Sequence, residues 1–360
     1  MPVTLIRLGV ALCLALTALS AQGPPKSDRR VVLVTIDGLR WQEMFGGADE
    51  AYFKRDSKGV IDRDAARYAG ASAEDRRAIL MPFMWNVIAS QGQILGDPSR
   101  NSVSRMTNGL WFSYPGYNEL LAGAADSRID SNAKVPNPNV TVLEWLNGRP
   151  GFKGSVAAFG SWDVLPWILN TERSNVPVGF GFNPVPAPKT ERQREINDLA
   201  RDLPRYWDYG PFDAPIVYAA LDSLQTQKPR VLYVLLGEGD EWAHEGRYDL
   251  YLEATVRADR FIERIWSTVQ SIPEYRNNTT LLVTTDHGRG ATTKDWTDHG
   301  RNVPAAERTW MAALGPGIPP AGVRSNVSVT AAQMAATIAA VVGEDFHAAM
   351  PKTAPRLPLN

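Results

Sequence analysis

Three of the four histidines in this 360-residue chain fall beside aspartates and glycine turns. In chain order, the stretches that could do chemistry begin with Ile36-Asp37-Gly38-Leu39-Arg40 and Ser113-Tyr114-Pro115-Gly116-Tyr117. Asp240-Glu241-Trp242-Ala243-His244, Asp286-His287-Gly288 and His299-Gly300 follow. Imidazole nitrogens and carboxylate oxygens are the donors that hold divalent cations. Asp37, Asp286 and His287 can supply one cation, with the Ser113 hydroxyl as a further ligand. Asp240, His244 and His299 can supply a second. The mixture of Asp and His suits zinc, and manganese also fits. Two such ions about 3.5–4 Å apart clamp the entering and leaving oxygens of a displacement. The one beside Ser113 would lower the pKa of its hydroxyl and make it the nucleophile. Thr107, a little earlier, is the alternative nucleophile. Asp-Gly on its own is a common turn pair, so no single motif decides the matter. His347 lies outside every motif and reads as a surface residue.

A convergent site needs elements to carry it. Residues 29–36 form a β-branched apolar run that ends at Asp37, the pattern of a buried parallel strand. Residues 231–236 and 279–285 read the same way, 308–314 as a further strand, and 93–95 and 154–159 as shorter ones. Ser72 opens a capping-box start, with apolar residues recurring through position 88. Residues 140–145, 248–271 and 331–342 carry helical patterns, and Ser113 falls at a predicted helix start. Strands alternating with helices predict an α/β fold: a central, mostly parallel sheet with helices on both faces. Asp37, Asp240 and Asp286 follow the C-terminal ends of predicted strands, where open α/β sheets place their sites. Residues 160–209 hold Trp162, Trp167, Phe180, Phe182 and Trp207 among prolines, and read as an insertion over the site.

Composition narrows the function classes. A formal charge of −1 gives no signature of nucleic-acid binding. The 26 prolines and 29 glycines predict long ordered loops, which suit a site-bearing enzyme. Arg7, the apolar run 8–19 and the small residues after it predict a signal peptide over residues 1–21, leaving 22–360 as a single metalloenzyme domain. The run is too short to span a bilayer well, so no stable membrane span is expected after cleavage. The expected destination is the periplasm or the exterior. Cys13 is the sole cysteine and lies in that segment, so cleavage would leave no thiolate ligand, disulfide or cysteine nucleophile.

At these motifs the chain resembles the alkaline phosphatase superfamily, and within it the nucleotide pyrophosphatase/phosphodiesterase branch. Asp37-Gly38-Leu39-Arg40 is similar to that branch's opening Asp-Gly-x-Arg. Ser113 through Gly123 is similar to its nucleophile motif, with Ser in place of Thr. Asp240 with His244, Asp286 to Gly288, and His299 match its remaining metal motifs. The likeness runs over residues 31–343. It implies an alkaline-phosphatase-like sandwich, two metal ions, a seryl-phosphate intermediate and a small-molecule phosphate ester as substrate. It also implies an Asn that binds the phosphoryl oxygen where Gly116 stands, with Asn118 the nearest replacement. Arg40 and Arg105 are further candidates for contact with an anion.

The resemblance leaves several activities open. Some phosphomonoesterases of the superfamily carry Lys-x-Arg where Phe159 to Asp163 stand here without a basic residue. Two dications set against three carboxylates and an alkoxide leave little charge to hold a dianion, which favours a diester. A sulfatase would need Arg where Tyr117 stands, and a phosphoryl transferase or mutase shares the metal logic. A periplasmic binding protein that keeps the metals without turnover is the rival of another class.

Overall fold

The protein is described here by a computed structural model covering residues 28–54, 66–210 and 212–359. Its centre is an eight-stranded sheet in the order β10-β2-β9-β7-β1-β6-β4-β5. The strands are β1 (Arg30–Ile36), β2 (Gln93–Leu95), β4 (Val156–Gly160), β5 (Val178–Phe180), β6 (Val231–Leu236), β7 (Thr279–Thr284), β9 (Met311–Leu314) and β10 (Gly322–Val323). β3 (Val103–Arg105), β8 (Arg308–Thr309) and β11 (Ser328–Thr330) form a second, three-stranded sheet. The block β7-β1-β6-β4-β5 is parallel, and β9 runs antiparallel between β7 and β2.

The apolar runs explain the layering. Val32, Val34 and Ile36 of β1 enter one core, while Val31 and Leu33 enter the other. A strand buried on both faces must be apolar at successive positions, as β1, β6 and β7 are. The first core packs beneath helices Asp213–Thr226 and Tyr248–Ser271. The second packs beneath Ser113–Ala122, Val142–Asn147 and Gln333–Val341. This is the expected α/β sandwich.

Three expectations change. The helix opened by Ser72 stops at Leu80 instead of continuing to 88. Pro82 disfavours helical dihedrals at Met81, which adopts φ −135° and ψ 68°. The chain resumes as a wide turn at Met84–Ile88, with Asp259 accepting the Phe83 and Met84 N–H groups. The strand expected over 308–314 divides at Trp310, a buried residue whose indole donates to Leu39 O at 2.9 Å. Within 160–209, β5 pairs with β4 as the sheet's edge strand, so part of that stretch belongs to the sheet itself. The predicted signal peptide lies outside the described residues. Among the described residues, no helix is long and apolar enough to cross a membrane.

The Ser72 cap is complete: its hydroxyl accepts from Asp75 N–H at 3.1 Å, and the Asp75 carboxylate accepts from Ser72 N–H. Ser72→Ala should lower stability in urea denaturation by about 1 kcal/mol and leave turnover unchanged.

Candidate metal centre

Strand ends deliver the ligands. β1 hands the chain to Asp37, whose N–H still pairs with Leu236 O at 2.8 Å. Gly38 then turns at φ 60°, and a Cβ there would stand 2.4 Å from Asp240 Oδ1. Only glycine fits that turn. Its N–H donates to Asp286 Oδ1 at 3.1 Å, joining the ends of β1 and β7. After β6, the helix Glu238–His244 places Asp240 and His244 one turn apart on one face. Ser113 is the first residue of its helix, and the residue before it, Phe112, provides no side-chain cap. The positive end of the helix dipole therefore favours an anion at Ser113.

The seven predicted residues come together at this edge. His287 Nε2 lies 3.3 Å from Ser113 Oγ, 3.2 Å from Asp37 Oδ1, 3.4 Å from Asp286 Oδ2 and 3.8 Å from Asp240 Oδ1. His244 Nε2 lies 3.1 Å from Asp240 Oδ2 and 3.0 Å from His299 Nε2. His299 Nε2 stands 3.9 Å from Asp240 Oδ1. His287 Nδ1 is 2.8 Å from Gly288 O, which fixes the ring with Nε2 toward the cluster.

The electrostatics are those of crowded buried donors. Burial, then Asp240, raises the pKa of Asp37. Burial, then Asp37, holds Asp286 well above the carboxylate range. Burial favours a neutral His287, but Asp286, Asp37 and Asp240 outweigh it and raise the ring to about 9. Burial, then the charge of His287, pushes His299 well below the usual imidazole range. Burial opposes the ionised form of Asp240, but Arg289 leads the charges that hold it well below the carboxylate range.

These residues fit divalent ions. Asp37 Oδ1, Asp286 Oδ2 and His299 Nδ1 are buried without a hydrogen-bond partner. Such atoms are costly unless something satisfies them. One donor from each of Asp37, Asp286 and His287 lies within 4.8 Å of the others, and the same holds for Asp240, His287 and His299. His287 thus stands between the two sets.

Other candidates are committed elsewhere. The Thr107 hydroxyl is committed to Glu119 Oε1, to which it donates at 2.9 Å. Asn118 is buried, with Oδ1 accepting from Asn137 and Asn139 and Nδ2 donating to Ala124 O. Arg40 is buried in a pair with Glu43, and Arg105 sits exposed on β3. His347 is half-buried away from the site, on the short helix Phe346–Ala349.

Sequence reasoning missed three contributors. Arg289 is fully buried and donates to Asp240 Oδ1. Its place directly after Asp-His-Gly was the available signal. The Tyr117 hydroxyl donates to Asp37 Oδ2 at 2.8 Å, so the residue at the sulfatase arginine position holds a carboxylate. Asn132 lines a cavity of about 430 Å³ that opens on Ser113, Asp240 and His299. Its Oδ1 accepts from Tyr114 N–H at 2.9 Å, which leaves the NH₂ group to serve the cavity. Trp162, Trp207 and Tyr209 form part of the same wall, and Lys134 is held there by Asp163 at 2.6 Å.

Residues 212–340 match the family model of the Metalloenzyme superfamily. That span includes Asp240, His244, Asp286, His287 and His299. The fold is alkaline-phosphatase-like, and the C-terminal part of the chain carries the superfamily match. No curated protein matches the sequence. A solved alkaline phosphatase superfamily protein from Vibrio parahaemolyticus is 12% identical with a TM-score of 0.51, covering 88% of this chain and 67% of its own. The phosphonate monoester hydrolase of Agrobacterium radiobacter is 12% identical with a TM-score of 0.52, covering 88% and 71%. A Bacteroides thetaiotaomicron protein described as a sulfatase is 12% identical with a TM-score of 0.52, covering 88% and 71%. At such identities the likeness is one of fold.

Proposed function

We propose that the protein is an exported, metal-dependent phosphoric ester hydrolase that prefers phosphodiesters and uses Ser113 as its nucleophile. The observation that carries this reading is Ser113 Oγ at a helix start, 3.3 Å from His287 Nε2 in the ligand cluster. Asp37, Asp286, His287 and Ser113 would hold one ion, and Asp240, His244 and His299 the other. When bound, the two ions would supply Lewis acidity and neutralise charge on the transferring group. The Ser113 Oγ–phosphorus bond forms as the bond to the alcohol breaks, and water then releases the seryl ester. Asn132 offers its NH₂ group to an oxygen of the transferring group, the task for which Asn118 is not available. Tyr117 keeps Asp37 oriented.

Charge selects the diester. Two dications against three carboxylates and one alkoxide are near neutral, and the Arg289 guanidinium adds one positive charge. One net positive charge matches a monoanion. A sulfate ester is also a monoanion, and the fold likeness includes a protein described as a sulfatase. Tyr117 on Asp37 argues against that reading, because no arginine stands there to support a sulfatase-type nucleophile.

A side-by-side panel of aryl phosphate diester, phosphate monoester and sulfate ester, with zinc and with manganese, tests the proposal. Fastest turnover should fall on the diester. Sulfate turnover exceeding both phosphates would transfer the protein to the sulfatase reading.

A further inference from the structure

The second ligand set is drawn from two separate segments. Asp240 and His244 ride on the helix that follows β6. His299 sits in the long connection between β7 and β8, which contains turns and bends but no helix or strand. Something must hold that connection against the helix, because a ligand displaced by an ångström is a weak ligand.

Arg289 spans the gap. It is fully buried, its Nη1 donates to Thr297 O, and its Nη2 donates to Asp240 O at 2.9 Å and to Asp240 Oδ1. One planar fork therefore grips the helix at a ligand and the connection two residues before His299. The grip takes up Oδ1 of Asp240 and leaves Oδ2, which faces His244 Nε2 at 3.1 Å. A lysine has no fork and cannot reproduce this geometry. The first ligand set has its own anchors: Tyr117 OH on Asp37, Gly38 N–H on Asp286, and Gly288 O on His287.

From this geometry we infer that Arg289 is the positioning residue of the second metal centre, fixing Asp240 and His299 relative to each other. The inference rests on the two-metal reading above. It concerns metal affinity, so it can be read without any substrate.

Zinc titration calorimetry on the full chain at pH 8 is the test, comparing wild type with Arg289→Met, Arg289→Lys, His299→Ala and Asp286→Asn. Wild type should take up two equivalents. Arg289→Met should keep one and bind the other about 10–100-fold more weakly, the scale on which outer partners of metal ligands act. Its curve should resemble that of His299→Ala and differ from that of Asp286→Asn. Arg289→Lys should fail to restore the lost equivalent, and serves as the readout if the Met variant does not fold. A wild-type second equivalent in the Arg289 variants would overturn this inference alone. A wild-type chain that takes up no zinc would overturn the metal reading and this inference together.

Discussion

Ser113→Ala should lose ester turnover by roughly 10³-fold or more, the scale on which removing a catalytic nucleophile acts, while zinc uptake stays close to wild type. The two halves of that expectation have separate causes. The Ser113 hydroxyl lines the cavity, where the helix start favours its anion and His287 Nε2 stands 3.3 Å away. Metal uptake rests mainly on the other six donors, which keep their anchors when one hydroxyl is removed. Thr107→Ala is the matching control. The Thr107 hydroxyl and N–H both donate to the buried Glu119, so its loss should cost about 1 kcal/mol of stability and leave turnover intact. Stopped-assay rates for the two variants, with metal content measured on the same preparations, decide the assignment. An active Ser113→Ala beside a dead Thr107→Ala would make Thr107 the nucleophile. Full activity in both would end the covalent mechanism.

Three of the ligands, Asp37, Asp240 and Asp286, were legible because each follows the end of a strand that could be read. The runs that became β1, β6 and β7 are apolar at almost every position, a pattern imposed by burial on both faces. Their C-terminal ends then position Asp37, Asp240 and Asp286. The tie from Arg289 to Asp240 was not legible, since it joins residues far apart in sequence through one side chain. Nearness to Ser113 points to Asn118 as the phosphoryl-binding residue. Closeness along a helix does not set the direction of a side chain, and Asn118 turns inward to Asn137 and Asn139. Asn132 reaches the cavity because the Tyr114 N–H near the helix start captures its Oδ1. The division of residues 308–314 at Trp310 followed from a contact with Leu39, which no periodicity records.

Removing the metals with a chelator should abolish turnover and lower the melting temperature, and the loss of stability should widen as pH rises. The cause lies in the buried donors. His287 in the metal-free cluster is raised to about 9, against an ordinary imidazole near 6.5. A folded-state pKa above the unfolded one means that its stabilisation is complete below about 6.5 and is lost as pH climbs through 9. Asp286 and Asp37 are also raised, chiefly by burial, so their ionisation weakens the metal-free fold in the same direction. The metal-free protein should therefore melt lower at pH 9 than at pH 6.5, by an amount on the order of a few kcal/mol. A bound cation needs those same groups deprotonated, so uptake releases protons. Apparent affinity should climb about tenfold per pH unit for each proton released, and flatten above 9. Ions at a thousand times their Kd add about 4 kcal/mol of stability, so the loaded protein should hold its melting temperature across the same range. Differential scanning calorimetry with and without chelator, at pH 6.5 and at pH 9, gives the four values required. Identical melting in all four, or zinc affinity independent of pH, would mean that these carboxylates and imidazoles do not form a metal centre.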